Sequence, residues 1–174
     1  MHERRYLADF DTRALPNMVA DVCIIGSGVA GLRAALAAAE GADVLCVTKG
    51  GLGGGNTPFA QGGIACADGP GDSPAQHAAD TLEAAAGLGD PAIAQLVAEE
   101  GPRRVHELEG WGAVFDRGPD GAPARVREGG HRIPRVWHAA GDRTGAEISR
   151  TLVAAVRALP AGRFRVCEDA FCVD

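Results

Sequence analysis

The stretch Asp21-Val22-Cys23-Ile24-Ile25-Gly26-Ser27-Gly28-Val29-Ala30-Gly31-Leu32 decides the fold. Its apolar run stops abruptly at Gly26, which is the profile of a buried parallel strand. From Ala30 to Glu40 the chain carries mainly Ala and Leu with one Arg, all good helix formers, and Gly41 supplies the stop. Asp43-Val44-Leu45-Cys46-Val47-Thr48 reads as a second buried strand. Strand, helix and strand in so short a span make a βαβ unit, whose crossover is expected to be right-handed.

Gly26-Ser27-Gly28-Val29-Ala30-Gly31 fits G-x-G-x-x-G between that strand and that helix. The first glycine permits the tight turn and the second lets backbone approach a pyrophosphate. The third lets helix and strand pack closely. The helix N-terminus adds N–H donors and about half a positive charge, so the segment reads as a dinucleotide cradle. The second strand ends in Val47-Thr48-Lys49, without the carboxylate that usually accepts ribose hydroxyls. Lys49 therefore keeps an NADP-linked reductase open, since a lysine can meet a 2′-phosphate. Gly50-Gly51-Leu52-Gly53-Gly54-Gly55 follows, five glycines in six residues, which a ligand must order or which stays a loose link.

The surrounding composition narrows the partners. The 174 residues are 46% hydrophobic and 23% charged, which suits one folded domain rather than a disordered chain. A net charge of -6, with one Tyr, two Trp and five Phe, argues against nucleic acid or an anionic membrane as the main partner. Five cysteines without a C-x-x-C pair fit neither a disulfide framework nor a spaced zinc site, and no metal is expected. Neither a signal-peptide core nor an apolar span is present, so the expected location is the cytoplasm. Residues 1–18 read as a tail and residues 19–174 as one α/β domain, a parallel sheet flanked by helices.

Further along, Ser73, Pro74 and Gln76 form a cap, a first-turn proline and a reciprocal partner, opening a helix to about Ala86. Asp90 and Pro91 repeat the device for Ala92 to Glu100, and Pro102 is expected to restart a helix toward Glu109. Trp111 to Asp116 reads as a short strand, and Gly118-Pro119-Asp120-Gly121 as a turn. Thr144-Gly145-Ala146-Glu147 reads as a capping box opening a helix through Leu159. Phe164 to Cys167 reads as a third sheet strand, and Ala170 to Val173 as the start of another.

Three further blocks carry a resemblance: Asn56-Thr57-Pro58-Phe59-Ala60-Gln61-Gly62-Gly63-Ile64-Ala65, Arg127-Glu128-Gly129-Gly130-His131 and His138-Ala139-Ala140-Gly141-Asp142-Arg143-Thr144-Gly145. With the glycine loop and Val47-Thr48-Lys49, they resemble the L-aspartate oxidase family. That family lies in the flavoprotein group of the succinate dehydrogenase and fumarate reductase flavin subunits. The resemblance covers nearly the whole chain after residue 20.

It implies a Rossmann-like FAD-binding domain, ending before the family's capping and C-terminal helical domains. It also implies FAD-dependent oxidation of L-aspartate to iminoaspartate, with O2 or fumarate as acceptor and H2O2 as the product from O2. This is the first step toward quinolinate and NAD, with the next enzyme of that route as a protein partner. On this analogy Gly26, Ser27, Gly28, Val29, Ala30 and Gly31 hold the pyrophosphate and Lys49 lies by the adenosine. Asn56, Thr57, Pro58, Phe59, Ala60, Gln61, Gly62 and Gly63 run along the flavin ring, where main-chain N–H groups can stabilise charge on the reduced ring. Pro58 removes one such donor. Asn56 stands where the succinate dehydrogenase relatives carry the histidine that bonds to the flavin, so FAD is expected to be noncovalent.

On the substrate side, Glu128 is the candidate to orient the substrate ammonium, with His131 as a second candidate in the same loop. The ordinary reading of Glu128 is a solvated loop acid paired with Arg127 or Arg132. His106 and His138 read as a helix surface residue and a packed loop residue. Two other readings stay open: a noncatalytic flavin-binding piece or a related succinate- or fumarate-type flavoprotein, and the NADP-linked reductase.

Overall fold

The computed structural model describes Arg13 and residues 16–172. Most of the expected tail lies outside the described residues, as does the end of the strand expected from Ala170. The chain divides into two compact units. One comprises residues 1–55 and 152–174, the other residues 56–151.

In the first unit, β1 (Val22–Ile25), β2 (Val44–Val47) and β6 (Phe164–Cys167) form a parallel sheet in the order β1-β2-β6. Val22 pairs with Val44, and Val44 with Phe164. The α/β reading from Asp21 to Thr48 and the third parallel strand therefore stand. The centre of the sheet is β2, where Val44, Leu45 and Cys46 are buried. Helix α1 (Val29–Ala38) crosses between β1 and β2 and buries Leu32 and Ala35.

One strand is less covered than its sequence implies. Ile25 is 67% exposed, and Cys23 on the same face is exposed too, so one face of β1 is uncovered. No strand forms over Ala170–Cys172: Ala170 N–H donates to the Thr48 carbonyl, and no ladder follows among the described residues.

In the second unit, α2 (Pro74–Ala84) and α3 (Pro91–Gly110) accompany an antiparallel sheet of β3 (Ile64–Ala65), β5 (Val136–Trp137) and β4 (Arg125–Val126), in the order β3-β5-β4. Trp137 is fully buried and meets the Phe115 ring edge-on at 5.5 Å. The Ser73 half of the α2 cap forms as read, with Gln76 N–H donating to Ser73 Oγ at 3.3 Å, but the Ser73 N–H donates to Asp72 Oδ1 at 2.8 Å rather than to the Gln76 side chain. At α3, Asp90 accepts from Ala92 N–H and Ile93 N–H.

Three local readings are corrected. Pro102 does not restart a helix: α3 runs unbroken from Pro91 to Gly110 with Pro102 inside it. Ala98, Val105 and Leu108 are buried along it, and this packing outweighs the hydrogen bond that proline cannot donate. Trp111–Asp116 is turn and extended coil, with no strand neighbour. The capping box at Thr144 does not close. Helix α4 (Thr144–Arg157) already has Thr144 in its first turn, Thr144 Oγ1 accepts from Ala139 N–H at 3.2 Å, and Glu147 accepts from Val114 N–H at 2.8 Å. Both side chains serve neighbouring loops instead of each other.

Candidate functional site

The first unit places Gly26–Gly31 in the turn between β1 and α1. Gly26 has φ +100°, a conformation a side chain would strain. At Gly31, a Cβ would overlap the Gly26 carbonyl oxygen, so glycine is the residue that lets α1 start this close to β1. Gly28 is the N-cap of α1 and makes no side-chain cap bond.

Ser27 is buried and has a structural task. Its Oγ contacts Thr48 Oγ1 at 2.9 Å and accepts from Gly53 N–H at 3.2 Å. The hydroxyl thereby ties the first loop to the glycine run after β2. Gly54 N–H donates to the Gly51 carbonyl at 2.9 Å, and Leu52 N–H donates to Glu168 Oε1 at 2.6 Å. The glycine run is thus ordered by contacts within its own unit. An open cavity of about 520 Å³ lies here, bordered by the phosphate loop, by Thr48 and Lys49 at the end of β2, and by Ala170–Cys172. Lys49 is exposed on its rim, with no ion-pair partner among the described residues.

The second unit carries the remaining candidates. Thr57–Phe59 forms a single 3-10 turn with Asn56 as its N-cap. Pro58 stands in the first part of that turn, where its missing N–H costs no intrahelical bond. Ala60 accepts from Gly145 N–H at 2.9 Å, and Gln61 Nε2 donates to Asp142 at 3.2 Å. A Cβ on Gly145 would overlap the Thr57 carbonyl oxygen, so the start of α4 lies hard against this turn. Asn56, Phe59, Ala60, Gln61 and Gly62 remain exposed. Gly63 is enclosed: a Cβ there would overlap Val136 and lie 2.9 Å from His138 Nε2.

Glu128 and His131 do not act together. Glu128 Oε1 lies 2.8 Å from His138 Nε2, and both line an open cavity of about 400 Å³ with Asp116, Arg127 and Gly141. Asp116 holds this wall by accepting from Ala140 N–H at 2.9 Å and Gly141 N–H at 3.1 Å. Arg127 has no ion-pair partner among the described residues, and Arg132 pairs with Asp80 and Glu83. Neither arginine takes Glu128; the partner is His138, which the sequence presents only as a packed loop residue.

His131 turns to a different network. Its Nδ1 accepts from Arg135 Nη1 at 3.0 Å, and its ring lies 5.5 Å from that of His77. Arg135 is wholly buried. It pairs with Asp72 through Nε and Nη2, both at 2.8 Å, and with Asp80 through Nη1 at 2.7 Å. Burial works to raise both aspartates, but their hydrogen bonds and the Arg135 charge hold them below the usual carboxylate range. Arg132 N–H also donates to Asp80 at 3.0 Å, so this pair pins the chain just after Gly129-Gly130-His131.

A third cluster was not legible in the sequence. Ligand atoms of Cys66, Asp68 and His106 lie within 4.8 Å of one another, close enough to hold a cation. Their bonds are directed elsewhere. Asp68 pairs with Arg125 at 2.8 Å, and His106 lies between Asp68 and Glu109, both at 2.9 Å. Burial, reinforced by Asp68, pushes the Cys66 thiol up to about 12, away from the thiolate that metal ligation needs.

A family model described as an FAD binding domain matches residues 21–171. The chain belongs to the FAD-binding domain family. Its cofactor is FAD, and the glycine-lined cradle beside the start of α1 fits that group. The chain is 49% identical over 158 residues to the L-aspartate oxidase of Streptomyces coelicolor, covering 90% of this chain and 27% of that protein. It is 44% identical to the chloroplastic L-aspartate oxidase 2-a of Nicotiana tabacum, over 88% of this chain and 23% of that one. Among solved structures, Mycobacterium smegmatis Sdh1 in complex with UQ1 superposes with a TM-score of 0.80 at 38% identity, over 89% of this chain and 28% of that one. Quinol fumarate reductase FrdA of E. coli gives 0.81 at 33% identity, over 86% and 26%. The chain therefore spans about a quarter of the length of these relatives. No described helix is long and apolar enough to cross a membrane.

Proposed function

We propose that this FAD-binding domain belongs to an enzyme that oxidises L-aspartate to iminoaspartate, with O2 or fumarate receiving the electrons. The observation that carries the reading is the pairing of Glu128 with His138 in an open cavity, inside the stretch whose sequence resembles the L-aspartate oxidase family. Oxidation of the amino acid removes a hydride from Cα and a proton from nitrogen, leaving a C=N bond. Bound FAD supplies the acceptor for the hydride. Glu128 binds the substrate ammonium through its carboxylate, and Arg127 at the same wall offers a positive charge to a substrate carboxylate.

On this reading Gly26–Gly31 hold the pyrophosphate, Lys49 lies at the adenosine side, and Asn56–Gly63 run beside the flavin. The cavity bordered by Gly26, Ser27, Gly28 and Lys49, and the exposure of Asn56, Phe59, Ala60, Gln61 and Gly62, support these roles. His131 drops to a supporting part, since its bond goes to Arg135. FAD is held without a covalent bond, as Asn56 offers no nucleophile for one.

Two measurements test this reading. Purified protein mixed with FAD is expected to show the flavin absorption bands after gel filtration; an NADP-linked protein would stay colourless. Peroxide release with L-aspartate, and none with D-aspartate, is expected only of the oxidase.

A further inference from the structure

The Glu128–His138 contact contains more than a pairing. His138 Nδ1 lies 3.0 Å from the Gly141 carbonyl, which can only accept, so Nδ1 carries a proton. His138 Nε2 lies 2.8 Å from Glu128 Oε1, and a hydrogen bond there needs a second proton between the two atoms. The imidazole is fixed at both nitrogens, while the Glu128 carboxylate is fixed at one oxygen. Oε2 of Glu128 has no protein partner among the described residues.

The ring cannot easily move away. Its backbone carbonyl accepts from Asp116 N–H at 2.8 Å, and Asp116 in turn holds Ala140 and Gly141. On its other side the Gly63 backbone approaches so closely that a Cβ there would lie 2.9 Å from Nε2. His138 thus touches both the Ala60-Gln61-Gly62-Gly63 segment and Glu128. The His138 side chain is 19% exposed and that of Glu128 46%, so the histidine is the more enclosed member and the glutamate the one that faces solvent.

We propose that His138 is the positioning residue of the amine subsite, holding Glu128 Oε1 so that Oε2 meets the ammonium group of an amino-acid substrate. This deepens the reading of Glu128 given above and rests on it. A dicarboxylate without an amine makes no use of the pair, and His138 then contributes to selection of amino acid over succinate.

The test uses the natural FAD-loaded protein that carries this chain, with binding of L-aspartate and of succinate read from perturbation of the flavin absorption. His138→Leu is expected to weaken L-aspartate binding about tenfold and to leave succinate binding within about twofold. His138→Gln, which keeps a donor directed at Glu128, is expected to recover most of the loss. Should His138→Leu fail to fold, His138→Asn, too short to reach Glu128, is compared with His138→Gln in the same way. Equal loss of both ligands, or no loss of either, overturns the proposal while leaving the aspartate reading intact. A wild-type protein that takes up FAD but gives no response to L-aspartate removes the aspartate reading and the proposal together.

Discussion

Arg135 and Asp80 form an ion pair withdrawn almost wholly from solvent, with Nη1 donating to Oδ2 at 2.7 Å. The same guanidinium makes a two-pronged pair with Asp72, so one buried cation bridges two buried carboxylates. Removing it leaves Asp72 with the Ser73 N–H and Asp80 with its Arg132 contacts, which is far costlier than losing an exposed bridge. Arg135→Met is expected to destabilise the protein by about 3–5 kcal/mol, read as a fall in the denaturant midpoint. A loss below about 1 kcal/mol would mean that the pair is solvated in solution.

The same pair sets a pH dependence. Asp72 and Asp80 are held below their usual range when folded, so their stabilisation is fully present above the unfolded value of about 3.9. It is lost as pH falls from there through the lower folded values. Thermal midpoints taken between about pH 5 and about pH 3 should fall more steeply for wild type than for Arg135→Met, whose buried carboxylates gain by protonation. Parallel curves would count against the pair as the source.

Burial, aided by the Arg135 charge, depresses His77, which is kept neutral inside the same cluster. A neutral histidine whose folded value lies below the unfolded value of about 6.5 loses stability as pH falls through that window. His77→Gln should flatten the wild-type change in midpoint between about pH 7 and about pH 5. If the two proteins keep the same slope, His77 is protonated without penalty.

Gly31 is enclosed by the Gly26 backbone, and Gly63 by the Val136 and His138 side chains and the Trp137 carbonyl. Gly31→Ala would press on the Gly26 carbonyl and move the start of α1, and the expected result is a FAD Kd raised at least about tenfold. Gly63→Ala would press on Val136, the Trp137 carbonyl and His138, with a stability loss of about 1–3 kcal/mol. Flavin titration and thermal melts distinguish the two outcomes, since the substitutions fall in different units.

Ser27 gives a milder test. Its hydroxyl joins Thr48 and Gly53, and neither contact is charged. Ser27→Ala is expected to cost about 1 kcal/mol in stability and to loosen the glycine run, weakening FAD binding by about fivefold. Unchanged flavin affinity would show that the run is ordered without this tie.

Noncovalent FAD is checked by precipitating the loaded protein with acid. All flavin should pass into the supernatant, and yellow colour retained in the pellet would contradict the role given to Asn56.

Residues 21–48 determined the α/β fold on their own, because a strand, its turn and its helix depend on neighbours a few positions apart. Gly26 and Gly31 were legible for the same reason: each answers a backbone need set locally. Pro102 was misread because local geometry marks a break there, while packing along Ala98, Val105 and Leu108 carries the helix through. The pairing of Glu128 with His138, the diversion of His131 to Arg135, and the meeting of Cys66, Asp68 and His106 have no sequence period to betray them. A charged side chain takes the partner that the folded backbone brings within about 3 Å, and that choice is made by chain segments far apart in sequence. The sequence therefore determined which groups could bind a dinucleotide. Only the tertiary structure decided which carboxylate each histidine and arginine would hold.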